Sequence, residues 1–394
     1  MNDAILKQAA ALAGTPCYIF DTGVLKDRLS YLRSRLPEGT QLAYAIKANA
    51  FLVREIFPYV DRLEICSPGE HSICRRLGLD SSKYVMSGVY KTPEIIRAQI
   101  AEGPADEIYT VESETQYRLL RDCAHETGKP LKLLLRLTSG NQFGMTRETI
   151  AGILPEALAD PLLHVNGIQY FSGTQKTQIK RLKREIEELD AYLDELRDTF
   201  GYTAEELEYG PGLPVSYFEG DNFDEEAHLA AFSELLSGMR FDGLLTLELG
   251  RAIAASCGTY LTRVVDQKEW DGQKMAIVDG GIHQLTYYGQ FMAMKHPKVH
   301  LLAPHAGAPT QEWTIYGSLC TVNDILVKRL PLEGLAPGDI LAFENTGAYC
   351  VTEGISLFLS RDLPAVVIVR EDGSLLCVRE DTPADPLNTP HYPE

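Results

Sequence analysis

Between residues 41 and 249 the chain alternates short apolar runs with amphipathic segments, and this alternation constrains the fold more than any other feature. Parallel strands need long crossover connections, usually helical, so the pattern predicts a parallel sheet. The strand candidates are 41–46, 62–66, 83–87, 107–111, 131–137, 163–170, 206–209 and 244–249. Eight strand–helix units predict a (β/α)8 barrel, an α/β fold.

The clearest helical segment lies between Gln178 and Phe200. Its apolar residues recur at alternating steps of three and four positions, and charged residues fill the opposite face. This periodicity predicts a helix with one buried face. A coiled-coil partner would produce a similar stripe, but packing against a barrel is the commoner cause.

After about residue 254 the pattern changes to short strand-like runs separated by Gly, Pro and Asp. These runs lie at 259–265, 274–279, 313–316, 339–343, 365–369 and 374–378. Such spacing is typical of an antiparallel sheet, which the apolar segment 15–21 can join. We therefore predict a barrel domain at 22–253 and a mostly antiparallel β domain built from 1–21 and 254–394.

Composition excludes several classes of partner. The formal net charge is −18, so a nucleic acid or an anionic membrane would be repelled. The N-terminus has neither the basic start nor the long apolar run of a signal peptide, and no apolar stretch is long enough to span a bilayer. The eight cysteines are scattered, without zinc-ligand spacing, so we expect no metal and reduced thiols in the cytoplasm.

Barrel enzymes carry their chemistry at the carboxyl ends of the strands, where the first predicted strand runs into Lys47. A lysine in that position is partly desolvated, which favours the neutral amine needed to form a Schiff base. For this residue alone, a surface lysine that extends its charged end into water is an equally good interpretation.

Three further strands end in loops rich in small residues, at 172–174, 209–212 and 248–251. Free backbone amides in such loops bind phosphate, and three adjacent loops opposite a lysine favour an anion site over simple turns. Glu248, in the third loop, can keep a pyridine nitrogen protonated, or it can form a salt bridge to Arg251. Taken alone, Cys320 and Tyr349 are more typical of a buried thiol and a core aromatic residue.

The combination of these motifs resembles the fold-type III pyridoxal-phosphate decarboxylases, which include diaminopimelate, ornithine and arginine decarboxylases, with alanine racemase as a distant relative. The resemblance extends from Thr15 to about Val378. In order, its motifs are AYAIKAN (43–49), SPGE (67–70), QFGM (142–145), SGTQ (172–175), YGPG (209–212), ELGR (248–251), VDGGIH (278–283), GSLCTVND (317–324) and GAY (347–349).

The resemblance implies pyridoxal 5'-phosphate as cofactor, with Lys47 bonded to its aldehyde and Glu248 paired with its ring nitrogen. It implies that Cys320 returns a proton to the substrate carbon and comes from the second subunit of a homodimer with shared active sites. The implied phosphate-binding residues are Thr174, Gly210, Gly212, Gly250, Arg251 and Tyr349.

Departures from the family pattern bear on the substrate. Phe171 replaces a histidine that stacks on the cofactor ring, and an aromatic face can still stack. Decarboxylases of diamino acids place an acidic residue directly after the cysteine, where this chain has Thr321; Asp324 can compensate. Together with some similarity to the butirosin-pathway decarboxylase of a glutamyl group on a carrier protein, this change favours a substrate that lacks a free distal amine, or one tethered to a carrier or to another small molecule.

Two alternatives remain open. An amino-acid racemase or epimerase would use the same scaffold, but alanine racemases place an arginine at the pyridine nitrogen, and Glu248 and Cys320 argue against that. A non-catalytic regulator resembling the antizyme inhibitors would not bind the cofactor, whereas the lysine, glutamate and cysteine positions here are all suitably filled.

Overall fold

The computed structural model describes residues 1–103 and 106–392. Its chain forms two compact units. The barrel unit comprises Leu29–Pro214 and Phe223–Ala252, and the β unit comprises Met1–Arg28, Val215–Asn222 and the chain from Ile253 onward. Residues 215–222 belong to the β unit although the segments on either side belong to the barrel unit. The sequence patterns do not reveal this segment, so the continuous domain predicted at 22–253 does not include it.

Several helices begin at a polar side chain that accepts a hydrogen bond from an amide of the first turn, as Ser67, Ser113 and Thr146 do. The helices are α1 (Asp3–Ala13), α2 (Thr22–Arg35), α3 (Val53–Ile56), α4 (Pro68–Arg76), α5 (Pro93–Glu102), α6 (Glu114–Thr127), α7 (Arg147–Ala159), α8 (Ile179–Phe200), α9 (Glu225–Ser237), α10 (Arg251–Ala254) and α11 (Asp385–Asn388). The helix predicted at 178–200 is confirmed as α8.

The strands of the barrel unit are β2 to β9, and the others belong to the β unit. They are β1 (Cys17–Asp21), β2 (Gln41–Ala45), β3 (Arg62–Ile65), β4 (Tyr84–Met86), β5 (Ile108–Val111), β6 (Leu131–Leu137), β7 (Leu163–Phe171), β8 (Glu206–Gly210), β9 (Leu244–Leu249), β10 (Gly258–Trp270), β11 (Gln273–Val278), β12 (Val299–Leu301), β13 (Thr310–Tyr316), β14 (Ile325–Glu333), β15 (Ile340–Glu344), β16 (Ala365–Val369) and β17 (Leu375–Arg379).

Strands β2 to β9 form a closed barrel in sequence order. Each strand pairs in parallel with the next, and β9 pairs with β2 to close the ring, with Thr246 opposite Gln41. The predicted (β/α)8 barrel is therefore confirmed, and each observed strand overlaps its predicted range. Because the carboxyl ends of all these strands meet at one end of the barrel, the loops that follow them are brought together.

The barrel interior is polar toward the carboxyl ends of its strands. Glu64 and Glu208 are buried there, and the Gln169 amide donates to Glu208 Oε1 at 2.5 Å and to Ser87 Oγ at 3.4 Å. The barrel unit also contains an apolar cluster of Val85, Ile108 and Leu134. Buried ionisable groups cost free energy unless they are paired, so a polar layer of this kind marks the functional end of a barrel.

The β unit contains a mixed but mostly antiparallel sheet, in the order β14-β13-β11-β10-β1-β16-β17, with β15 paired to β10 and β12. The β1–β16 and β11–β13 pairs are parallel. Strand β1 joins this sheet as predicted, and α1 packs on it through Leu6, Ala9 and Ala10. The predicted β domain is confirmed.

The sequence analysis missed α1, β12 and β14. Strand β12 has only three residues. Strand β14 contains Pro331 and a left-handed residue, Arg329 with φ 51°, and its register against β13 shifts twice. These irregularities break the period-two pattern by which a strand is recognised.

Within residues 1–103 and 106–392, no helix is both long enough and apolar enough to cross a bilayer.

Candidate active site

Lys47 follows β2 in a short 3-10 turn, and its amine lies between two buried carboxylates. Its Nζ is 2.6 Å from Glu64 Oε2 and 3.2 Å from Glu248 Oε1. The lysine side chain is 40% exposed, whereas those of Glu64 and Glu248 are 1% and 8% exposed. The amine is therefore paired with two buried carboxylates at the mouth of the barrel although its side chain stays partly exposed, and this pairing argues against the surface-lysine interpretation.

The pKa values of the two carboxyl groups are shifted in opposite directions. Burial and the adjacent charge of Glu64 raise the pKa of Glu248 above its ordinary value. Burial alone would also raise the pKa of Glu64, but the charge of Lys47 and a hydrogen bond with Glu248 hold it below its ordinary range. A raised pKa in one carboxyl group and a lowered pKa in the other are typical of a closely spaced carboxylate pair. Glu248 forms an ion pair with Lys47.

Glu64 is a site residue that the sequence analysis missed. It lies in the middle of β3, between Leu63 and Ile65, and its side chain points into the barrel toward Lys47. One sequence signal was available, since an acidic residue inside an apolar strand of a parallel barrel has no solvated face to occupy. Such a residue must pair with a cation or hold a proton.

The loops after β7 and β8 are in direct backbone contact. A Cβ atom on Gly212, whose φ is 65°, would lie 2.1 Å from Gly173 O, and the Lys176 amide donates to Gly212 O at 3.0 Å. A Cβ atom on Gly210 would lie 2.5 Å from Cδ2 of Phe171. Only glycine permits these approaches.

The structure thus brings together four of the predicted cofactor residues: Phe171, Thr174, Gly210 and Gly212. Gly250 and Arg251 follow β9, which pairs with β8 as far as Leu247 opposite Tyr209. They therefore lie at the end of the neighbouring strand, and Arg251 begins α10.

Cys320 and Thr321 belong to the β unit, in the turn between β13 and β14. Cys320 is exposed, Thr321 is half-buried, and the next residue, Val322, is 83% exposed. The alternative interpretation of Cys320 as a buried thiol does not hold, and its role as proton donor stays a prediction. The thiol is presented at the surface of its unit.

The buried carboxylate of Asp324 supports this turn through hydrogen bonds. Its carboxylate accepts hydrogen bonds from the amides of Ile282 at 2.8 Å and Leu319 at 2.7 Å, and the residue is only 2% exposed. Cβ atoms on Gly281 or Gly317 would collide with it. The glycines of VDGGIH and GSLCTVND therefore make room for one buried carboxylate. This arrangement argues against the predicted contact between Asp324 and a substrate.

Tyr349, also in the β unit, has a left-handed backbone with φ 68°. Its carbonyl accepts hydrogen bonds from the amides of Thr352 and Glu353, both at 2.9 Å. A non-glycine residue in this region costs roughly 1 kcal/mol or more, and such residues cluster at ligand sites. Its assignment to the phosphate site stays a prediction.

These residues fit pyridoxal phosphate. Lys47 supplies an amine, Glu248 supplies a buried carboxyl group for a ring nitrogen, and the close-packed glycine loops after β7 and β8 bring together backbone of the kind that binds phosphate. The donor set contains nothing that opposes the cofactor.

Comparison with known proteins gives the same result. Residues 17–347 match the family profile described as pyridoxal-dependent decarboxylase, C-terminal sheet domain. The chain is 26% identical to a 2-[(L-alanin-3-ylcarbamoyl)methyl]-2-hydroxybutanedioate decarboxylase of Staphylococcus aureus, over 93% of this chain and 97% of that protein. It is 24% identical to the L-glutamyl-[BtrI acyl-carrier protein] decarboxylase of Niallia circulans, over 95% and 92% of the two chains.

The fold is also similar to that of a solved diaminopimelate decarboxylase from M. jannaschii. The TM-score is 0.85 at 24% identity, over 99% of this chain and 94% of that chain. The family match favours a decarboxylase over the racemase and the non-catalytic regulator. It covers the barrel strands, Lys47, Glu248 and Cys320. The chain therefore belongs to the pyridoxal-dependent decarboxylase family.

Proposed function

We propose that this protein decarboxylates an amino acid whose distal end carries no free ammonium group. The observation that carries this proposal is the position after Cys320, where Thr321 offers a neutral hydroxyl. A distal ammonium needs a charged partner, and losing one charge-assisted contact costs about 1.5–3 kcal/mol. Asp324 is the nearest acidic residue in the turn, and its two oxygens already accept backbone hydrogen bonds.

The printed names of two relatives support this substrate class. In one, the alanine side chain is joined through a carbamoyl group to a hydroxy-dicarboxylate; in the other, a glutamyl group is joined to a carrier protein. Both substrates keep an amino-acid head group and have an acyl linkage elsewhere in the molecule. We include the carrier-tethered form in the proposal as one member of this class.

Three side chains would carry the reaction. Pyridoxal phosphate, when bound, supplies an electron sink for the pair of electrons left behind as CO2 departs. Lys47 would hold the cofactor through its amine, and Glu248 would hold a proton at the ring nitrogen. The Cys320 thiol would donate a proton to the substrate carbon, acting as general acid.

The test is a substrate panel read out as released CO2. Its arms are free diamino acids, the same diamino acids acylated on the distal amine, and a glutamyl thioester on a carrier protein. We expect the acylated arms to exceed the free diamino acids by roughly tenfold or more in kcat/KM, the equivalent of one lost charge-assisted contact. Higher activity on free diaminopimelate, lysine or ornithine would contradict the proposal.

A variant pair sharpens this test. Thr321→Asp should raise kcat/KM for free diamino acids and lower it for acylated ones. Val322→Asp is the matched control, because it adds the same charge at the neighbouring exposed position. Equal changes in the two variants would mean that net charge, and not position 321, sets the preference.

We also propose a homodimer in which Cys320 acts on a substrate held by the other subunit. The exposure of Cys320 and Val322 in the single chain supports this arrangement. Mixing the inactive variants Lys47→Ala and Cys320→Ala should restore part of the activity, whereas no restoration would contradict a shared site. The eight free thiols are consistent with the reducing cytoplasm, which we propose as its location.

A further inference from the structure

A buried carboxylate on helix α8 lies against the loop that follows β7. Glu185 is 4% exposed and accepts four side-chain hydrogen bonds. Its Oε2 accepts from Lys176 Nζ at 2.7 Å and from the Tyr209 hydroxyl at 2.8 Å. Its Oε1 accepts from the Ser172 hydroxyl at 2.5 Å and from Arg181 Nε at 3.2 Å. All of its oxygen lone pairs are therefore used.

The donors come from the same segments as the close-packed glycines after β7 and β8. Ser172 and Lys176 are the two ends of the loop that contains Gly173 and Thr174, and Tyr209 directly precedes Gly210. Two backbone contacts tie the same parts together: Arg181 donates to Ser172 O at 2.9 Å, and the Lys176 amide donates to Gly212 O. One carboxylate thus fixes both ends of one loop and the start of the next.

The Lys176–Glu185 pair is not explained by stability alone. The Lys176 side chain is fully buried, and burial lowers the pKa of Lys176 even though the Glu185 charge opposes that shift. Burial would raise the pKa of Glu185, but the hydrogen bonds from Lys176 and Ser172 hold it below its ordinary value. Replacing a buried ion pair by apolar residues is often neutral or stabilising. The free-energy cost of burying this ion pair therefore indicates that the position or the charge of its side chains is needed for function.

We propose that Glu185 is a positioning residue that holds the β7 loop in the conformation that binds the phosphate group of the cofactor. Glu185 does not touch the cofactor itself. The inference rests on the cofactor of the family and is independent of the proposed substrate.

The experiment compares two cofactor forms that differ only in the phosphate. The full chain, freed of cofactor, is titrated with pyridoxal phosphate and with pyridoxal, and binding is followed by visible absorbance. For Glu185→Gln we expect the dissociation constant for pyridoxal phosphate to rise roughly tenfold or more, as expected for one lost charge-assisted contact. The constant for pyridoxal should not change.

The matched control is Glu187→Gln on the same helix. Glu187 is 64% exposed in its side chain, and its contact with Lys183 is 3.8 Å long, so the substitution removes a charge without touching the loop. Both dissociation constants should stay at the wild-type values in this variant.

A second variant keeps the test decisive if Glu185→Gln does not fold. The double substitution Lys176→Met with Glu185→Leu removes both charges and fills the space with apolar side chains, which buried ion pairs commonly tolerate. It should fold and still lose affinity for pyridoxal phosphate selectively. Equal losses for pyridoxal phosphate and pyridoxal, or no loss for either in a folded variant, would overturn the proposal.

Discussion

The barrel unit and the β unit present their reactive groups in opposite ways. In the barrel the amine of Lys47 is held by carboxylates that are at least nine-tenths buried, whereas in the β unit the thiol of Cys320 lies exposed on a turn. The carboxyl groups of Glu64 and Glu248 lie close to each other and to Lys47, and these neighbours shift their pKa values. In the β unit, Asp324 supports the turn through hydrogen bonds from two backbone amides, and the thiol is exposed at the surface of that turn. The difference predicts that variants in the two units will fail in different ways.

The largest effect is expected for the barrel amine. Lys47→Ala should abolish both CO2 release and the visible absorbance of the bound cofactor, because the amine that holds the cofactor is gone. Loss of a group that takes part directly in the reaction costs at least roughly 10²–10⁴-fold in turnover. Absorbance spectra and CO2 release measure the two properties separately. If Lys47→Ala kept turnover near the wild-type rate, the Lys47 amine would not take part in the reaction.

The β unit should lose only one of these properties. Cys320→Ala is expected to lower turnover roughly 10²–10⁴-fold, as expected for a lost general acid, and to leave the cofactor absorbance unchanged. Cys377→Ala, a half-buried thiol of the same unit, is the control and should keep wild-type turnover. If Cys320→Ala bleached the protein as Lys47→Ala does, the distinction between the two units would fail.

A smaller effect is expected for Asp324, the buried carboxylate that supports the turn carrying Cys320. Asp324→Asn replaces one of two acceptor oxygens by an amide that faces a backbone donor, so about 1–3 kcal/mol of unfolding free energy should be lost. Denaturant unfolding measures this change, and turnover should fall because Cys320 moves. The exposed turn residue Asp372→Asn provides the comparison. Unchanged stability in Asp324→Asn would mean that the turn does not depend on the buried carboxylate.

The smallest effect concerns pH. His300 lies 3.1 Å from Asp3 and 3.2 Å from Glu344, and its hydrogen bond to Glu344 helps raise its pKa. A histidine with a raised pKa stabilises the folded state below its unfolded pKa of about 6.5, and that stabilisation disappears as the pH rises through the folded value. His300→Gln should therefore cost stability at pH 5–6, by about 0.5 kcal/mol given its exposure, and nothing well above the folded pKa. A loss that is the same at both pH values would contradict this assignment.

The barrel was predictable because its constraint is local. Strands buried on both faces read as apolar runs, and all eight observed strands overlap the predicted ranges. Lys47 and Glu248 were found because they stand at the ends of such runs. Glu64 and Glu185 were missed because each pairs with partners distant in sequence. The acidic residue inside strand β3 was a usable signal for Glu64, whereas an acidic residue on a charged helix such as α8 gives no signal of a buried cation.

The β unit was less predictable because its strands are irregular and its contacts join residues distant in sequence. Strand β14 carries a left-handed Arg329 and Pro331, so no regular alternation marks it. Asp324 looked available to a substrate because the sequence cannot show that the amides of Ile282 and Leu319 already occupy its oxygens. Family resemblance located the motif in which Asp324 lies, but only the fold assigns its contacts.

The most direct test of the central claim is to find where the cofactor is attached. Purified holoenzyme is reduced with borohydride and digested, and the pyridoxyl group is located by mass spectrometry. We expect it on the peptide that contains Lys47. A pyridoxyl group on another lysine would contradict the account, and Lys91 is the sharpest alternative, because it is buried after β4 with its pKa lowered to about 8 by burial. The absence of any pyridoxyl peptide would contradict it equally.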